Sequence, residues 1–304
     1  MNKIPCEYSK KSPHLLPAGF SGVPARSFWK TKRSRKRILA KRNKYAKLSA
    51  VYTADSFFGG RDRIIRLIVA MTAAAAGTVQ TVTGLGAAVV LMLVLPHLFG
   101  VVTASALSTS ICIALTASLA WKFRRKTDFR FIALPIAVFS LSSVVMINLI
   151  KSLDLWLIGV AFGAFLLALS LYYLLFAGRA SLRPTRGVVL ACSAVSGVFS
   201  GLFSIGGPMM ALCLLPCAED HEQYVGNMQT LFVVTNCINI AARVANGLYT
   251  VELIPISLVG IVFILLGRAI GTRLVRQLSA EVIKRAVYLF VGISGAMTLI
   301  ENIL

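Results

Sequence analysis

Apolar runs of about 20 residues recur from residue 64 to the C-terminus, and they constrain this chain more than any other feature. An α-helix of about 20 apolar residues is long enough to cross the hydrocarbon core of a bilayer. Charged residues make up only 14% of the sequence, against roughly 25% in a soluble domain. The sequence therefore predicts an all-α polytopic membrane protein.

A basic tail precedes the apolar segments. The predicted divisions are the tail (1–63), a first transmembrane repeat (64–178) and a second one (187–304). We expect the tail to be disordered and held near anionic lipid by its positive charge. A transit peptide and a nucleic-acid-binding arm are alternatives. Nucleic acid is the least favoured partner, because the tail contains no recognisable folded module.

A glycine- and proline-rich stretch interrupts the apolar segments at 197–208, where the sequence reads G-V-F-S-G-L-F-S-I-G-G-P. Glycine weakens a helix interior and proline removes a backbone donor, so a straight helix is not expected there. An offset of 120 residues joins three pairs across the two halves: Gly77 with Gly197, Gly86 with Gly206, and Pro96 with Pro216. Duplicated, broken segments are typical of secondary transporters.

The duplication predicts about eight transmembrane helices, built from two homologous repeats with broken or re-entrant glycine-rich segments. This number counts each broken pair as one crossing, which gives the two repeats the same orientation. If both pieces of each pair crossed the membrane, the repeats would be inverted instead.

Basic loops set the predicted orientation. The tail, the 122–130 loop and the 178–187 loop are basic, which places them on the cytoplasmic side. The acidic loop at 218–224 would then lie on the far side, and only the basic loop at 273–285 disagrees. We expect a multi-pass protein of the bacterial inner (plasma) membrane with a cytoplasmic N-terminus.

Carboxylates are absent from the middle of every apolar span. A cation carrier or a carboxylate proton relay needs such groups, so the pattern favours an anion or a neutral solute. Arg243 and Arg268 lie near segment ends, where we expect them to extend to the membrane interface. Electrostatic attraction of an anion is the alternative role of these two side chains.

A small anion can be bound without a buried charge. Glycines let the backbone unwind, and the N-termini of the half-helices then present free N–H groups and the positive end of the helix dipole. Close helix packing is the alternative role of the same small residues. The candidate substrate-binding residues are Gln80, Thr81, Gly84, Gly86, Thr109, Ser204, Gly206, Gly207, Asn227 and Thr230. Further candidate donors are Thr83, Ser108 and Gln229.

Signals for an enzyme are missing from the sequence. No phosphate-binding loop, metal-ligand cluster or paired carboxylate appears in a span, so we expect no catalysis, no cofactor and no metal. The six cysteines are predicted to be small packing residues without a disulfide framework.

The second half resembles the TauE/SafE sulfite exporter family. The residues that carry this resemblance are Gly197, Gly201, Gly206, Gly207, Pro208, Pro216, Thr230, Asn236 and Asn239. The first half is similar at Gly84 to Gly86 and at Thr109-Ser110, but Ala87 stands where the family has a further glycine.

The resemblance covers residues 64–304 and implies a duplicated permease. Such a protein would move a small anion, namely sulfite, a sulfonate or a related organosulfur compound, by alternating access. Its partners would be that anionic substrate and the lipid bilayer, and the sequence leaves a homo-oligomer open. The alternative function is a non-transporting membrane scaffold or assembly protein whose basic tail binds a partner.

Overall fold

The computed structural model of the chain describes residues 60–176, 185–274, 289 and 291–300. Contacts divide the chain into Met1–Ala54 and Asp55–Leu304, and the first unit lies outside the described residues, as does the predicted disorder of the tail. The described α-helices are α1 (Gly60–Thr83), α2 (Ala87–Phe99), α3 (Val101–Phe123), α4 (Phe129–Leu149), α5 (Leu155–Phe176), α6 (Arg186–Phe203), α7 (Gly207–Leu214), α8 (His221–Ala245), α9 (Ile254–Leu274) and α10 (Val291–Ile300).

Seven helices in the described ranges are long and apolar enough to cross a membrane. Large apolar side chains remain exposed along them, for example Leu67 at 62%, Leu141 at 68% and Leu171 at 58%. Such exposure would be costly in water but is expected of surfaces that face lipid. The predicted all-α polytopic class is therefore confirmed.

Two helix breaks occur at matching places in the chain. The first separates α1 from α2 and covers 84–86, and the second separates α6 from α7 and covers 204–206. The helices before the two breaks end 120 residues apart, and the helices after the breaks begin 120 residues apart. α3 and α8 also begin at this offset. The local break that the sequence predicts is thus present in both halves.

Each break contains a left-handed backbone conformation. Gly84 and Gly86 have φ angles of 80° and 112°. Glycine adopts such angles without the steric cost that a side chain imposes. In the second break the left-handed residue is Ser204, with φ of 60°, and it ends α6 through a backbone hydrogen bond to Ser200.

Close backbone contacts hold the helices of the two halves together. α1 packs along α9, α6 packs along α4, and α3 packs against α8. A Cβ atom on Gly77 of α1 would overlap the carbonyl of Ile264 in α9. A Cβ on Gly197 of α6 would likewise overlap the carbonyl oxygen of Phe139 in α4. Glycine permits this approach, which stabilises helix pairs in a membrane through van der Waals contact.

The α3 and α8 helices run in opposite directions. Near the start of α3, Ser105 bonds Arg243 near the end of α8, whereas just after α3 Thr127 bonds Thr230 near the start of α8. These helices correspond to the same segment of the two predicted repeats. The prediction that the repeats share one orientation is therefore wrong for this pair.

Contacts at the ends of the bundle correct the predicted sidedness. Lys126 Nζ lies 2.9 Å from Asp220 Oδ2, so the basic 122–130 loop and the acidic 218–224 loop lie at the same end. The end of α1 also reaches the first half of α8, through Gln80 and Gln229. α1 runs parallel to α9, because Ala74 meets Gly267 and Thr78 meets Gly271. Since α9 follows the end of α8, α1 begins at the opposite end from the basic 124–126 turn. The start of α1 and the basic 124–126 turn therefore do not share one end, contrary to the expectation from the basic segments; the tail itself is outside the described residues.

A disulfide joins Cys192 of α6 to Cys213 of α7. The two cysteines were predicted to be unbonded packing residues, and that prediction is wrong. Their 21-residue separation carries no signal of pairing; the fold brings them together because the break at 204–206 turns α7 back against α6.

Candidate functional site

A cavity lined by both polar and apolar residues lies between the two helix breaks, with a volume of about 40 Å³. One water molecule needs about 10–15 Å³ in the same measure, so there is space for a few waters or for one small anion. The cavity is lined by Gln80, Gly86, Ala88, Val89, Ser108, Thr109, Cys112, Thr116, Ser200, Ser204, Ile205, Gly206, Gly207, Pro208, Phe232 and Asn236.

Six of the ten residues predicted to bind substrate line this cavity. They are Gln80, Gly86, Thr109, Ser204, Gly206 and Gly207. A seventh, Gly84, lies just behind them, and its carbonyl oxygen accepts a hydrogen bond of 2.9 Å from Gln229 Nε2. The two breaks, which are distant in sequence, therefore meet at one place.

The other three predicted residues lie elsewhere. Thr81 donates to the carbonyl of Gly77, and its Cβ faces Gly271 of α9. Asn227 accepts a hydrogen bond from the backbone N–H of Asp128, 2.8 Å away. Thr230 contacts Thr127 in the same connection between α3 and α4. The sequence shows that these side chains are polar but not which neighbouring helix they face.

Gln80 organises the first break. Its Oε1 accepts from the backbone N–H of Ala87, 3.1 Å away, and so caps the start of α2. Its Nε2 donates to Oε1 of Gln229 in α8, also at 3.1 Å. The first N–H groups of a helix have no partner within the helix, and a side-chain oxygen supplies one here.

Ser204 ties the second break to α3. Its Oγ lies 2.6 Å from the carbonyl oxygen of Ser105, which it can donate to. The hydroxyl of Thr109 lies 2.8 Å from the same carbonyl and also contacts the Ser204 hydroxyl. A single carbonyl therefore orients two hydroxyls that line the cavity.

Ser108 adds a polar group with spare hydrogen-bonding capacity. Its side chain is fully buried, and its Oγ has no hydrogen-bond partner among the described residues beyond the weak thiol of Cys112. A buried hydroxyl without a partner is unfavourable unless a water or ligand satisfies it. Ser108 faces the cavity, where such a ligand has space.

Three cavity residues follow one face of α3. Ser108, Cys112 and Thr116 are spaced four residues apart, which aligns side chains along a helix. Cys112, Thr116 and Ser200 were not among the candidates. The four-residue spacing in α3 was the signal that could have found the first two, whereas nothing in the sequence singled out Ser200.

Two helices begin at the cavity, and each directs the positive end of its dipole towards it. Ala88 and Val89 in the first turn of α2 line it, as do Gly207 and Pro208 in the first turn of α7. The N-terminus of a helix carries a partial positive charge and favours anions. No Asp or Glu is among the lining residues to oppose this effect.

Arg243 lies behind the cavity and is fully buried. Its Nη1 donates to Oγ of Ser105 and its Nη2 donates to the carbonyl of Gly201, both at 2.8 Å. The prediction that Arg243 extends to the interface is therefore wrong. Although it is near the end of α8, the end of α6 and the start of α3 supply its hydrogen-bond partners.

The fold and the cavity define a polytopic membrane protein organised around two broken helices. Residues 69–298 match the family described as sulfite exporter TauE/SafE, and the chain belongs to this family of membrane transporters. The resemblance carried by the glycine breaks is thereby confirmed. No curated protein and no solved structure matches the chain.

Proposed function

We propose that the chain is a secondary transporter for a small anion, namely sulfite, a sulfonate or a related organosulfur compound, and that it works by alternating access. The observation that carries this proposal is the cavity between the breaks. It combines hydroxyl and amide groups with two helix N-termini, and no carboxylate lines it. These are the features that bind an anion without a neutralising metal.

The proposed fold for this function consists of two inverted repeats. Three observations support it: both breaks have matching bounds at an offset of 120 residues, α1–α9 packing matches α6–α4 packing, and α3 and α8 are antiparallel. In transporters with inverted repeats, the two halves exchange conformations around one central site. In this arrangement each half has three helices that cross the membrane fully and one re-entrant pair, which replaces the predicted count of about eight transmembrane helices.

The proposed binding residues are the six predicted ones that line the cavity, together with Ser108. Backbone N–H groups at the starts of α2 and α7 would contact the anion, and the hydroxyl of Ser108 would donate to its oxygens. Thr109 and Ser204, which donate their hydroxyl protons to the carbonyl of Ser105, would form the cavity wall beside it. Gln80 would hold the first break in shape. Thr81, Asn227 and Thr230 would act on the packing around the site.

The test compares Ser108→Ala with Ser140→Ala in sulfite counterflow across proteoliposomes. Both side chains have a buried hydroxyl without a nitrogen or oxygen hydrogen-bond partner in the described residues, but Ser140 belongs to α4 and does not line the cavity. A hydrogen bond to a charged group contributes about 1.5–3 kcal/mol. Ser108→Ala is therefore expected to raise the KM for sulfite about tenfold, with Ser140→Ala unchanged.

Equal KM values in the two variants would contradict the proposed site. A wild-type protein without flux of sulfite or methanesulfonate would contradict transport itself and leave the scaffold function.

A further inference from the structure

Arg243 is a buried cation whose charge the described protein does not neutralise. Its hydrogen-bond partners are a serine hydroxyl and a backbone carbonyl, and no carboxylate of the described residues pairs with it. Its Nε is buried and has no acceptor. A buried charge is strongly unfavourable unless it is paired, so its presence needs a compensating role.

The partners of Arg243 connect it to the cavity. Ser105 accepts the hydrogen bond from Arg243 at its hydroxyl, and its carbonyl is the one that orients Thr109 and Ser204. A single residue, Ser105, therefore connects the guanidinium to two hydroxyls that line the cavity. Its charge acts over this distance through a medium of low dielectric constant, where Coulomb interactions are strong.

The second hydrogen-bond partner of Arg243, the carbonyl of Gly201, places the positive charge at the negative end of a helix dipole. Gly201 is in the last turn of α6, whose C-terminal end carries a partial negative charge next to the cavity. That end alone would repel an anion. At the first break, the carbonyl of Gly84 is satisfied by the neutral amide of Gln229. Arg243 thus places a full positive charge at one of the two breaks.

We propose that Arg243 is a positioning residue that makes the cavity selective for anions over neutral molecules of the same shape. It does so by holding an uncompensated positive charge behind Ser105. The inference rests on the proposed function, because it concerns selectivity at the same site. It assigns to a residue outside the cavity a role that none of the lining residues can fill, since none of them is charged.

The test measures how strongly two nearly isosteric compounds inhibit sulfite counterflow: methanesulfonate, which is an anion, and dimethyl sulfone, which is neutral. The variants are Arg243→Gln, which removes the charge, and Arg243→Lys, which keeps it. Arg130→Gln is the control, because it removes an exposed positive charge from the first turn of α4. Thermal unfolding of each purified variant monitors folding.

Wild type and Arg130→Gln are expected to prefer methanesulfonate at least tenfold. Arg243→Gln is expected to reduce this preference about tenfold, mainly by raising the inhibition constant for methanesulfonate. Arg243→Lys is expected to keep the preference within about threefold of wild type. A merely structural role would weaken both inhibitors equally and leave the ratio unchanged.

A folded Arg243→Gln protein with the wild-type preference would overturn this inference while leaving the proposed function intact. If Arg243→Gln does not fold, Arg243→Lys decides, because loss of preference in a folded lysine variant contradicts a role of charge. Absence of flux in wild type would overturn the proposed function and, with it, this inference.

Discussion

The side-chain amide of Gln80 donates to the side-chain oxygen of Gln229, 3.1 Å away, and so joins the first helix break to α8. Gln229 in turn donates to the carbonyl of Gly84 within the break. The unwound backbone is therefore satisfied by a neighbouring helix, which is the condition under which broken helices persist in membranes. The predictions below concern these breaks and the contacts around them.

The positive φ angles of the first break predict that two strained glycine variants lose similar stability but differ in transport. Gly86→Ala places a side chain at φ of 112°, and Gly100→Ala does the same at 74°. Each substitution is expected to lower the free energy of unfolding by about 1–3 kcal/mol. Because only Gly86 lines the cavity, only Gly86→Ala is expected to raise the KM for sulfite beyond the change in Gly100→Ala.

Thermal unfolding and counterflow of the same preparations check this prediction. Similar KM values in the two strained variants would show that Gly86 is required for folding alone.

Backbone contact between α1 and α9 predicts a large cost for a single methyl group. Gly77→Ala would place its Cβ against the carbonyl of Ile264, and overpacking of this kind costs about 1–3 kcal/mol. Gly187 is the matched glycine, because it is exposed in the first turn of α6 and a Cβ there has open space. Thermal unfolding in detergent should show a lower Tm for Gly77→Ala and an equal or higher Tm for Gly187→Ala. An unchanged Tm in Gly77→Ala would contradict the packing.

The ion pair between Lys126 and Asp220 predicts a dependence of stability on acid pH. The backbone N–H of Gln223 and then the ammonium of Lys126 lower the pKa of Asp220 below its usual 3.8. A lowered native pKa stabilises the fold above the unfolded pKa, and this contribution is lost as the pH falls through the native pKa. Asp220→Ala should therefore unfold at a lower Tm than wild type at pH 7, and the difference should shrink below pH 3.8.

Asp220→Asn separates the two contributions of the carboxylate. Asparagine retains the cap at the start of α8 but loses the charge, so a smaller loss of Tm is expected at pH 7. A difference between wild type and Asp220→Ala that stays constant at acid pH would contradict the assignment.

The direction of α1 predicts from which side of the membrane its first turn can be labelled. Arg63 and Arg125 are both exposed, but their positions lie at opposite ends of the bundle. Arg63→Cys and Arg125→Cys in sealed vesicles should therefore react with an impermeant maleimide from opposite sides of the membrane. Labelling of both from one side would contradict the direction assigned to α1. The result also decides whether the N-terminus is cytoplasmic, which stays a prediction.

The breaks could be predicted from the sequence because their cause is local. Glycine and proline change the backbone at their own positions, and the 120-residue offset repeats the change. The same reasoning found six residues that line the cavity. It failed for Thr81, Asn227 and Thr230, because the helix that a polar side chain faces depends on the packing of other helices.

Arg243 shows a second limit of sequence analysis. An arginine two residues before the last residue of a helix usually reaches the interface. Its burial depends on the ends of α3 and α6, which are more than 40 residues away in the chain, as the bonds to Ser105 and Gly201 show. The disulfide between Cys192 and Cys213 was missed for a similar reason, since the turn between α6 and α7 determines it.

The buried guanidinium also has a consequence for the energy balance of the cell. A hydrated cavity within a membrane protein is a potential route for proton leak, which would dissipate the membrane potential. A fixed cation near the cavity would raise the barrier for hydronium and alkali ions, as arginine does in other pores. Arg243 would thus let the cavity fill with water while the membrane stays electrically sealed.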